Sequence, residues 1–436
     1  MGRFLQEFKD KVRKKRIKIA VVGLGYVGLP LAVEFARKGF TVLGLDIDKQ
    51  RLMHIRKRES YITDISDKQI KAVCSSKKFQ AVSDFKALKN TDVIIICVPT
   101  PLKRKYHPNI SYIKQAVRSI SRNIKSGVLI ILESTTYPGT TEEVILPLLE
   151  KNNLKHNRDF YLSFSPERID PGNKRYPVNK IPKIVGGLSP RATELAVSVY
   201  ENIIDKVVPV SSARAAEFAK LLENTYRLIN IGLIDELAMM AHKMKINIWE
   251  VIEAAATKPF GFMPFYPGPG VGGHCIPKDP LYLHWKAKHF GFRSRFIKLA
   301  SDIINYMPEY VAHRVEQALK EKGVELKNSR ILVCGAAYKK DVKDLRKSPG
   351  IDIIDILQKK SGEVSYFDPL IPYLKLNHID LKSIRLEARG LKDFDCVIIA
   401  TDHTGVDYGF ILKNSNLIFD TRNVYKGCKD RKIIIL

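Results

Sequence analysis

The sequence predicts an α/β protein with two doubly wound sheets, separated along the chain by one long helix. Short apolar runs that end in polar turns recur between residues 17 and 167 and again from residue 328, which is the pattern of buried parallel strands. From residue 213 to about residue 245, apolar residues repeat instead with a helical period, and no proline interrupts them. We therefore predict two Rossmann-like domains joined by a long central helix and a helical dimerisation domain, with boundaries at 1–210, 211–310 and 311–436.

The first predicted strand, residues 17–22, runs directly into a G-x-G-x-x-G turn, and the strand after the next helix ends at Asp46. Glycines allow a tight turn and a close approach of pyrophosphate, a helix N-terminus offers N–H groups to phosphate, and a carboxylate accepts the ribose hydroxyls. This order predicts a dinucleotide site. Asp46 favours NAD over NADP because a 2′-phosphate would meet like charge, although Arg51 keeps NADP open. The predicted contacts in the turn are Gly23, Gly25, Tyr26, Val27 and Gly28.

Polar residues follow the next two predicted strands of this region. Thr100 follows the strand near residues 91–98, while Glu133, Ser134 and Thr136 follow the strand at 127–132. Because the carboxyl ends of parallel strands face the ligand crevice, these side chains are expected to line the cofactor site. Turn formation and helix capping explain each of them individually as well.

Glu167 and Arg168 follow another predicted strand, at residues 161–165. This position places a carboxylate beside the same crevice, where a glutamate can act as a general base. A surface ion pair between Glu167 and Arg168 is the alternative interpretation.

Lys220 and Asn224 lie four residues apart on the long predicted helix and so share a face. An ammonium and an amide aimed at one point stabilise a developing oxyanion. The alternative is that both serve solubility on an exposed face. A long helix between two α/β regions is also typical of a dimer surface.

Cys275 lies in the glycine-rich segment 270–280 and begins a C-x-x-x-D spacing that ends at Asp279. Glycines let the backbone approach a ligand, and Lys278 or a protonated His274 would favour the thiolate, which is the nucleophilic form. The alternative is a buried structural cysteine.

The C-terminal region repeats the strand and turn pattern near residues 331–341 without the full glycine fingerprint. Further strands are predicted at 363–369, 395–401 and 416–422. Lys339 and Arg422 follow two of these strands, where they suit a nucleotide phosphate or sugar better than a second NAD.

Composition indicates a soluble enzyme, since 436 residues with 45% apolar content can bury two or three cores. The net charge of +27 raises the question of nucleic acid, but the basic residues are spread along the chain, so we expect no nucleic-acid partner. The six cysteines are scattered, which predicts a reducing, cytoplasmic setting without disulfides or a metal site. No apolar run reaches membrane-spanning length, and residues 3–16 are expected to form a short solvated helix rather than a targeting segment.

Taken in order, these motifs resemble the UDP-glucose/GDP-mannose dehydrogenase family over residues 16–424, essentially the whole chain. The matching segments are GLGYVGLP, VPTP, ESTTYPGTTEE, SPERIDPGN, AEFAKLLENTYRLINI, GPGVGGHCIPKDP, AAYKKDVKDLRKSP and FDTRN. The resemblance implies an N-terminal NAD-binding domain, a central dimer-forming helix and a C-terminal domain for the UDP moiety. It also implies oxidation of a nucleotide sugar's C6 alcohol to a carboxylate, with two NAD reduced, for surface polysaccharide precursors.

The resemblance also implies roles for single residues. It makes Cys275 the nucleophile that forms a thiohemiacetal and then a thioester. It gives oxyanion stabilisation and proton transfer to Lys220 and Asn224, with a water held by Asp279. The other implied roles are thioester hydrolysis for Glu167, a place near the reacting carbon for Thr136, a cofactor contact for Arg346, and substrate contacts for Lys339 and Arg422. We also expect Arg51 to contact the cofactor, and the substrate to be contacted by Glu167, Arg168, Lys220 and Asn224.

One departure from the family pattern bears on the substrate. Members that act on UDP-glucose carry a second glutamate four residues after the strand-end acid, whereas Glu167 is followed here by Arg168-Ile169-Asp170-Pro171. This segment and the block at 258–270 resemble the branch that acts on UDP-N-acetylhexosamines, which implies substrate contacts from Phe265, Tyr266 and Gly270. UDP-GlcNAc is the expected substrate, with UDP-glucose, UDP-GalNAc and UDP-ManNAc as alternatives.

Two more distant interpretations stay open at this point. A simple hydroxyacid dehydrogenase also pairs a Rossmann domain with a helix carrying a Lys-x-x-x-Asn face, but it would need neither Cys275 nor the third domain. A non-enzymatic nucleotide-binding module would bind polyanions in a salt-dependent way and form no NADH.

Overall fold

The computed structural model describes residues 2–62, 65–103, 107–168, 176–376 and 378–436. The helices are α1 (Gly2–Arg13), α2 (Gly28–Arg37), α3 (Lys49–Lys57), α4 (Asp67–Ser75), α5 (Ser111–Ser121), α6 (Leu146–Glu150), α7 (Pro190–Tyr200), α8 (Ala213–Lys243), α9 (Ile248–Ala256), α10 (Asp279–Lys288), α11 (Arg295–Glu321), α12 (Pro349–Gln358), α13 (Ala388–Lys392) and α14 (Tyr408–Asn414). The strands are β1 (Lys18–Val22), β2 (Thr41–Leu45), β3 (Phe79–Val82), β4 (Val93–Ile96), β5 (Val128–Leu132), β6 (Phe160–Phe164), β7 (Lys183–Gly187), β8 (Val207–Pro209), β9 (Arg330–Cys334), β10 (Glu363–Phe367), β11 (Tyr373–Leu376), β12 (Ile379–Lys382), β13 (Cys396–Ile399), β14 (Ile418–Asp420) and β15 (Ile433–Ile435).

The chain forms two compact units, residues 1–223 with 285–292, and residues 224–284 with 293–436. The boundary between them falls within α8 and again within α10. The division into domains at 1–210, 211–310 and 311–436 stays a prediction.

In the first unit, the described strands form an eight-stranded sheet in the order β3-β2-β1-β4-β5-β6-β7-β8. Its first six strands are parallel and follow the doubly wound order of dinucleotide-binding domains. β7 runs antiparallel to β6 and parallel to β8, so the sheet extends beyond the predicted strands. The predicted doubly wound sheet is confirmed.

The central strands of this sheet are continuous apolar runs, and the four residues of β4 and the five of β5 are all buried. Burial on both faces explains why these strands lack the alternation of a half-exposed sheet. Because the strands are parallel, the residues that follow β1, β2, β4, β5 and β6 meet at one edge of the sheet. That edge carries the candidate site of this unit.

The N-terminal helix α1 is present as predicted, but it is not fully solvated. Phe8 and Val12 are buried, and the ring of Phe4 stacks on Tyr161 with centroids 5.3 Å apart. The guanidinium of Arg191, on α7, lies over both of those rings. One apolar face of α1 therefore belongs to the core of the first unit, which the basic composition of residues 3–16 concealed.

In the second unit, the described strands form a parallel five-stranded sheet in the order β10-β9-β13-β14-β15, with β11 and β12 as an antiparallel pair. This confirms the second doubly wound sheet and its predicted strands. The last strand, β15, and the β11–β12 pair were not predicted.

The long helix α8 spans 31 residues and confirms the predicted change of period. A Cβ on Gly232 would lie 2.9 Å from the Cβ of Ala300, so a glycine is needed at this close contact between α8 and α11. None of the described helices has both the length and the apolar composition to cross a membrane.

Candidate active site

The glycine turn after β1 is fixed by close backbone contacts. Gly23 has a φ of +95°, and a Cβ there would lie 2.6 Å from the carbonyl oxygen of Cys97. A Cβ on Gly28 would lie 1.9 Å from the carbonyl oxygen of Gly23. At Gly25, by contrast, the nearest described atom to the Cβ position is Nη1 of Arg51, 3.8 Å away. The turn is thus tightly packed beneath and open at Gly25, which suits the approach of a pyrophosphate to the N-terminus of α2.

Asp46 lies at the end of β2 with its carboxylate buried. Its Oδ2 accepts a hydrogen bond from the Leu24 amide at 2.8 Å and lies 3.1 Å from Nη1 of Arg51. The Tyr61 hydroxyl donates to the Leu24 carbonyl at 2.6 Å and braces the turn from the other side. Arg51 is thus paired with Asp46 rather than set apart for a 2′-phosphate, and Tyr61 is a contact that the sequence did not reveal.

The side chains of Thr100, Ser134 and Thr136 are buried at the carboxyl edge of the sheet, as expected for residues after β4 and β5. The Ser134 hydroxyl donates to the Val98 carbonyl at 2.8 Å, which ties the two strand ends together. Glu133 is expected from the sequence to line the cofactor site. In the structure its carboxylate instead pairs with Lys183 inside the protein.

Arg168 does not pair with Glu167 through its side chain. Its Nη2 lies 2.6 Å from Oε1 of Glu223 on α8, and its Nη1 donates to the Pro182 carbonyl at 2.6 Å. Glu167 accepts a hydrogen bond from the Arg168 amide at 2.6 Å. The Arg168 side chain thus pairs with Glu223, in place of the Glu167 partner that the alternative interpretation gave it. Residues 169–173, which complete the SPERIDPGN motif, lie outside the described residues.

Lys220 is buried, with only 8% of its surface exposed, so the solubility interpretation is wrong for it. One turn earlier on α8, buried Glu217 accepts hydrogen bonds from the Gly139 amide at 2.6 Å and from the amide and hydroxyl of Thr141 at 2.9 and 2.7 Å. Burial raises the pKa of Glu217 to about 7, although these donors oppose the shift. Glu217 thus anchors the segment after Thr136 to the turn of α8 that carries Lys220.

Asn224 and Asp279 are in direct contact, as their implied roles require. The Asn224 amide nitrogen donates to Oδ2 of Asp279 at 2.6 Å, and Asp279 is buried. The amide of Asp279 donates to the Cys275 carbonyl at 2.8 Å, so the C-x-x-x-D spacing forms one helical turn at the start of α10.

Cys275 is exposed, which contradicts the interpretation as a buried structural cysteine. Burial raises the pKa of the Cys97, Cys334 and Cys396 thiols, whereas Cys275 lies in a loop with cationic neighbours.

The charge near this loop comes from Lys278 rather than from His274. Nζ of Lys278 lies 3.1 Å from both ring nitrogens of His274. Burial, Lys278 and Arg346 together lower the pKa of His274 to about 4, so the imidazole is neutral near pH 7. Of the two alternatives, a protonated His274 is thus disfavoured, and Lys278 stays the predicted cation beside the Cys275 thiolate.

The cysteine loop packs against the turn after β9. A Cβ on Gly272 would lie 2.4 Å from the Cβ of Tyr338, and the Gly273 amide donates to the Arg346 carbonyl at 2.8 Å. Gly270 has a φ of +126°, which favours glycine. Lys339 is half-buried in the same turn. The cysteine loop and the turn after β9 are therefore in contact, although they lie more than 60 residues apart in sequence.

Arg422 follows β14, and its side chain is held beside the same loop. Nε donates to the Ala400 carbonyl at 2.8 Å, and a Cβ on Gly268 would lie 3.0 Å from Nη1. Asp235, a buried α8 residue that sequence reasoning missed, accepts a hydrogen bond from the Gly268 amide at 3.0 Å. Burial raises the pKa of Asp235 to about 8, while Gly268 and Arg422 oppose the shift.

Phe265 and Tyr266 are held by aromatic contacts. Tyr266 stacks on Trp249 with ring centroids 5.5 Å apart, and Phe265 meets Tyr226 edge-on at 5.9 Å. Both rings are therefore anchored to the helices α8 and α9, while Tyr266 keeps nearly half of its surface exposed.

Sequence models of one family match three consecutive parts of the chain. They describe the NAD binding domain, the central domain and the UDP binding domain of the UDP-glucose/GDP-mannose dehydrogenase family, over residues 17–204, 214–306 and 332–427. The chain belongs to this family. The UDP binding domain has no place in the hydroxyacid dehydrogenase interpretation.

Relatives of the chain within the UDP-glucose/GDP-mannose dehydrogenase family differ in substrate. The chain is 37% identical to a UDP-N-acetyl-D-glucosamine 6-dehydrogenase of Pseudomonas aeruginosa, over 89% of this chain and 91% of that protein. It is 36% identical to a UDP-N-acetyl-D-mannosamine dehydrogenase of Pyrococcus horikoshii, over 94% and 96%. A solved structure of UDP-D-ManNAc dehydrogenase from Pyrococcus horikoshii superposes with a TM-score of 0.87 at 34% identity, over 96% of this chain and 98% of that one. The protein is therefore an NAD-dependent oxidoreductase that acts on the CH–OH group of a UDP-sugar.

The residues of the first unit fit NAD. The open backbone at Gly25 suits the pyrophosphate, and Asp46 offers a carboxylate to the ribose hydroxyls.

Proposed function

We propose that this protein oxidises the C6 hydroxyl of a UDP-N-acetylhexosamine, with UDP-GlcNAc as the first candidate, to the uronic acid. The observation that carries the proposal is the exposed thiol of Cys275, one helical turn before Asp279, whose carboxylate is bound by Asn224. A simple alcohol oxidation needs no nucleophile. A thiol placed in this way suits an enzyme that must carry an aldehyde on to the acid.

Cys275 acts between two oxidations, and NAD held by the glycine turn and Asp46 would supply the hydride acceptor for each of them. The first oxidation converts the alcohol to an aldehyde, which does not readily lose a second hydride until a nucleophile adds to it. The Cys275 thiolate adds to the carbonyl carbon and gives a thiohemiacetal. Loss of hydride leaves a thioester, and water then releases the carboxylate and restores the thiol.

The negative charge that develops in these steps is stabilised, and protons are transferred, by Lys220, Asn224 and Asp279. The buried ammonium of Lys220 and the amide of Asn224, one turn apart on α8, stabilise the oxyanion that forms when sulfur adds. Asp279 fixes the orientation of the Asn224 amide through their 2.6 Å hydrogen bond.

Glu167 is the general base that activates water for thioester hydrolysis. Its place three residues after the end of β6 sets it at the carboxyl edge of the first sheet, among buried polar residues. Thr136, buried after β5, is proposed to lie near the reacting carbon.

The UDP moiety is held in the second unit by basic side chains. Lys339 and Arg422 follow β9 and β14 at the carboxyl edge of the second sheet, within the segment that matches the UDP binding domain. Their positive charge complements a diphosphate. Arg346, in the turn that also carries Lys339, serves a cofactor contact.

UDP-ManNAc is the second candidate substrate, because relatives of nearly equal identity are named for it. The two sugars differ only in the configuration of the acetamido carbon. The segment that carries Tyr266 and Gly270 supplies the surface that would distinguish them.

The protein is also proposed to form a homodimer through α8. Phe218, Leu222, Tyr226, Leu233 and Met240 are exposed on this helix. Their spacings of four and seven residues place them on one face, which forms a continuous apolar stripe.

The experiment that tests the proposed substrate is NADH formation with UDP-GlcNAc, UDP-ManNAc, UDP-GalNAc, UDP-glucose and GDP-mannose, each compared by kcat/KM. We expect the highest value with UDP-GlcNAc and a value lower by about tenfold or more with UDP-glucose, whose C2 hydroxyl leaves the acetamido partner unsatisfied. A preference for UDP-ManNAc would select the second candidate. A preference for UDP-glucose would overturn the N-acetylhexosamine assignment.

A further inference from the structure

The first unit contains a buried ion pair to which the proposed reaction assigns no role. Nζ of Lys183 lies 3.1 Å from Oε2 of Glu133, and their side chains are 7% and 0% exposed. Glu133 directly follows β5, and Lys183 begins β7. The Tyr200 hydroxyl, at the end of α7, donates to the other oxygen of Glu133.

Lys183 also contacts the segment that carries Glu167. Its Nζ donates to the carbonyl oxygen of Pro166 at 3.4 Å, and Pro166 is the residue directly before Glu167. Side chains on both sides of this point bind β7 and the residue before it, since the Ser165 hydroxyl donates to the Ile184 carbonyl at 2.8 Å and Arg168 donates to the Pro182 carbonyl. One buried ammonium thus connects the ends of β5 and β6.

Stability alone is a weak reason for such a pair. Desolvation of two charges offsets most of their attraction, and apolar residues of similar size often stabilise a core as well or better. The presence of a buried charge at Lys183 therefore needs another explanation. The ionisable groups nearest to Lys183 supply one.

The ionisable groups that face Lys183 come from four elements. They are Cys97 after β4, Glu133 after β5, Glu167 after β6 and Tyr200 on α7. Burial lowers the pKa of Lys183, but Glu133 and Glu167 outweigh it and the pKa is raised. Burial raises the pKa of Glu133, and the charge of Glu167 adds to this while Lys183 opposes it. The cluster thus holds two carboxylates around one cation, with the Arg168–Glu223 pair beside it.

We propose that Lys183 is a positioning residue for Glu167: its buried ammonium binds the Pro166 carbonyl directly before Glu167 and compensates the neighbouring charge of Glu133. This rests on the proposed role of Glu167 as the base in thioester hydrolysis. Without the ammonium, the charge of Glu133 would be left uncompensated beside the segment that carries Glu167, whereas removal of the Glu133 charge would have the opposite electrostatic effect. In the hydrolysis step, Glu167 accepts the proton of the attacking water.

The test compares two variants that change the local charge in opposite directions. Lys183→Met removes the cation, whereas Glu133→Gln removes an anion and keeps an acceptor for the Tyr200 hydroxyl. We expect the acid limb of the kcat profile to move to higher pH by about one unit in Lys183→Met and to lower pH in Glu133→Gln. We expect KM for NAD and for the UDP-sugar to stay within about twofold in both.

Lys183→Arg and Lys180→Met serve as controls. The arginine variant keeps the charge and should restore the wild-type pH profile. Lys180 lies three residues away, is exposed and pairs with Asp205 at 2.8 Å, so its replacement should leave the profile unchanged.

A merely structural ion pair would lower the melting temperature and kcat without moving the acid limb, and this result would overturn the proposal. The opposite shift in Glu133→Gln keeps the test decisive even if Lys183→Met does not fold. The proposed function itself would be overturned if the wild-type enzyme released acid without a thioester step. Because that outcome is measured on the unaltered protein, it is distinguished from a failure of the Lys183 proposal.

Discussion

At the scale of single residues, three charged side chains of α8 are buried: Glu217, Lys220 and Asp235. Burial of a charged group is unfavourable unless a partner compensates it, so such a group is expected to have a bonding partner or a role in the reaction. Glu217 binds three donors of the 139–141 segment, and Asp235 binds the Gly268 amide. For Lys220 we propose a task in the reaction, and this leads to the first prediction.

Lys220→Ala should lower kcat by about a hundredfold or more, because a donor that stabilises the oxyanion contributes mainly in the transition state. The Kd of NAD, measured by fluorescence titration, should change little. Lys243→Ala, at the exposed end of the same helix, is the matched control. A loss confined to NAD affinity would contradict the role given to Lys220.

Asp235 leads to a prediction about pH. Burial raises its pKa to about 8, so folding favours the protonated carboxyl. The resulting stabilisation is complete below the ordinary pKa of an aspartate and is lost progressively as the pH rises to about 8. Asp235→Asn keeps the acceptor for Gly268 and cannot ionise. We therefore expect its melting temperature, relative to wild type, to rise between about pH 5 and pH 8 and then to level off. A difference that does not vary with pH would show that this carboxyl does not titrate as described.

At the scale of elements, Glu217 connects α8 to the segment that follows Thr136. Replacing it with alanine leaves the amides of Gly139 and Thr141 and one hydroxyl without their acceptor. We expect Glu217→Ala to lower the free energy of unfolding by about 2–4 kcal/mol, measured in urea. Glu236→Ala, at an exposed position of the same helix, should cost about 0.5 kcal/mol or less. Equal losses in the two variants would contradict the anchoring role.

The helices and strands themselves were largely predictable from the sequence. The contacts between residues that lie far apart in the sequence were not. The apolar runs of β1, β4 and β5 and the helical period of α8 are local patterns, so the sequence carries them directly. The ion pair between Glu133 and Lys183 and the contact of Asp235 with Gly268 join residues 33 or more positions apart. Nothing in the local sequence of either partner indicates the other. The same reason explains why Lys220 could not be distinguished from a solvated lysine.

At the scale of the whole molecule, the apolar stripe on α8 predicts a dimer. Leu233→Glu combined with Met240→Glu should convert the protein to a monomer, because burying two carboxylates at an interface is strongly unfavourable. Light scattering coupled to size-exclusion chromatography measures the mass directly. Met53→Glu replaces an equally exposed apolar residue on α3 and should leave the mass unchanged. A dimer that persists in the double variant would place the interface elsewhere.

Cys275 is proposed to carry the sugar through a second oxidation on the same enzyme. The most direct measurement is the number of NADH formed per uronic acid released from UDP-GlcNAc, in wild type and in Cys275→Ser, with the exposed Cys428→Ser as the matched control. We predict about two NADH per acid in wild type and in Cys428→Ser, and acid formation at least about a hundredfold slower in Cys275→Ser, whose fold and NAD binding persist. Acid formation by Cys275→Ser at the wild-type rate would contradict the account.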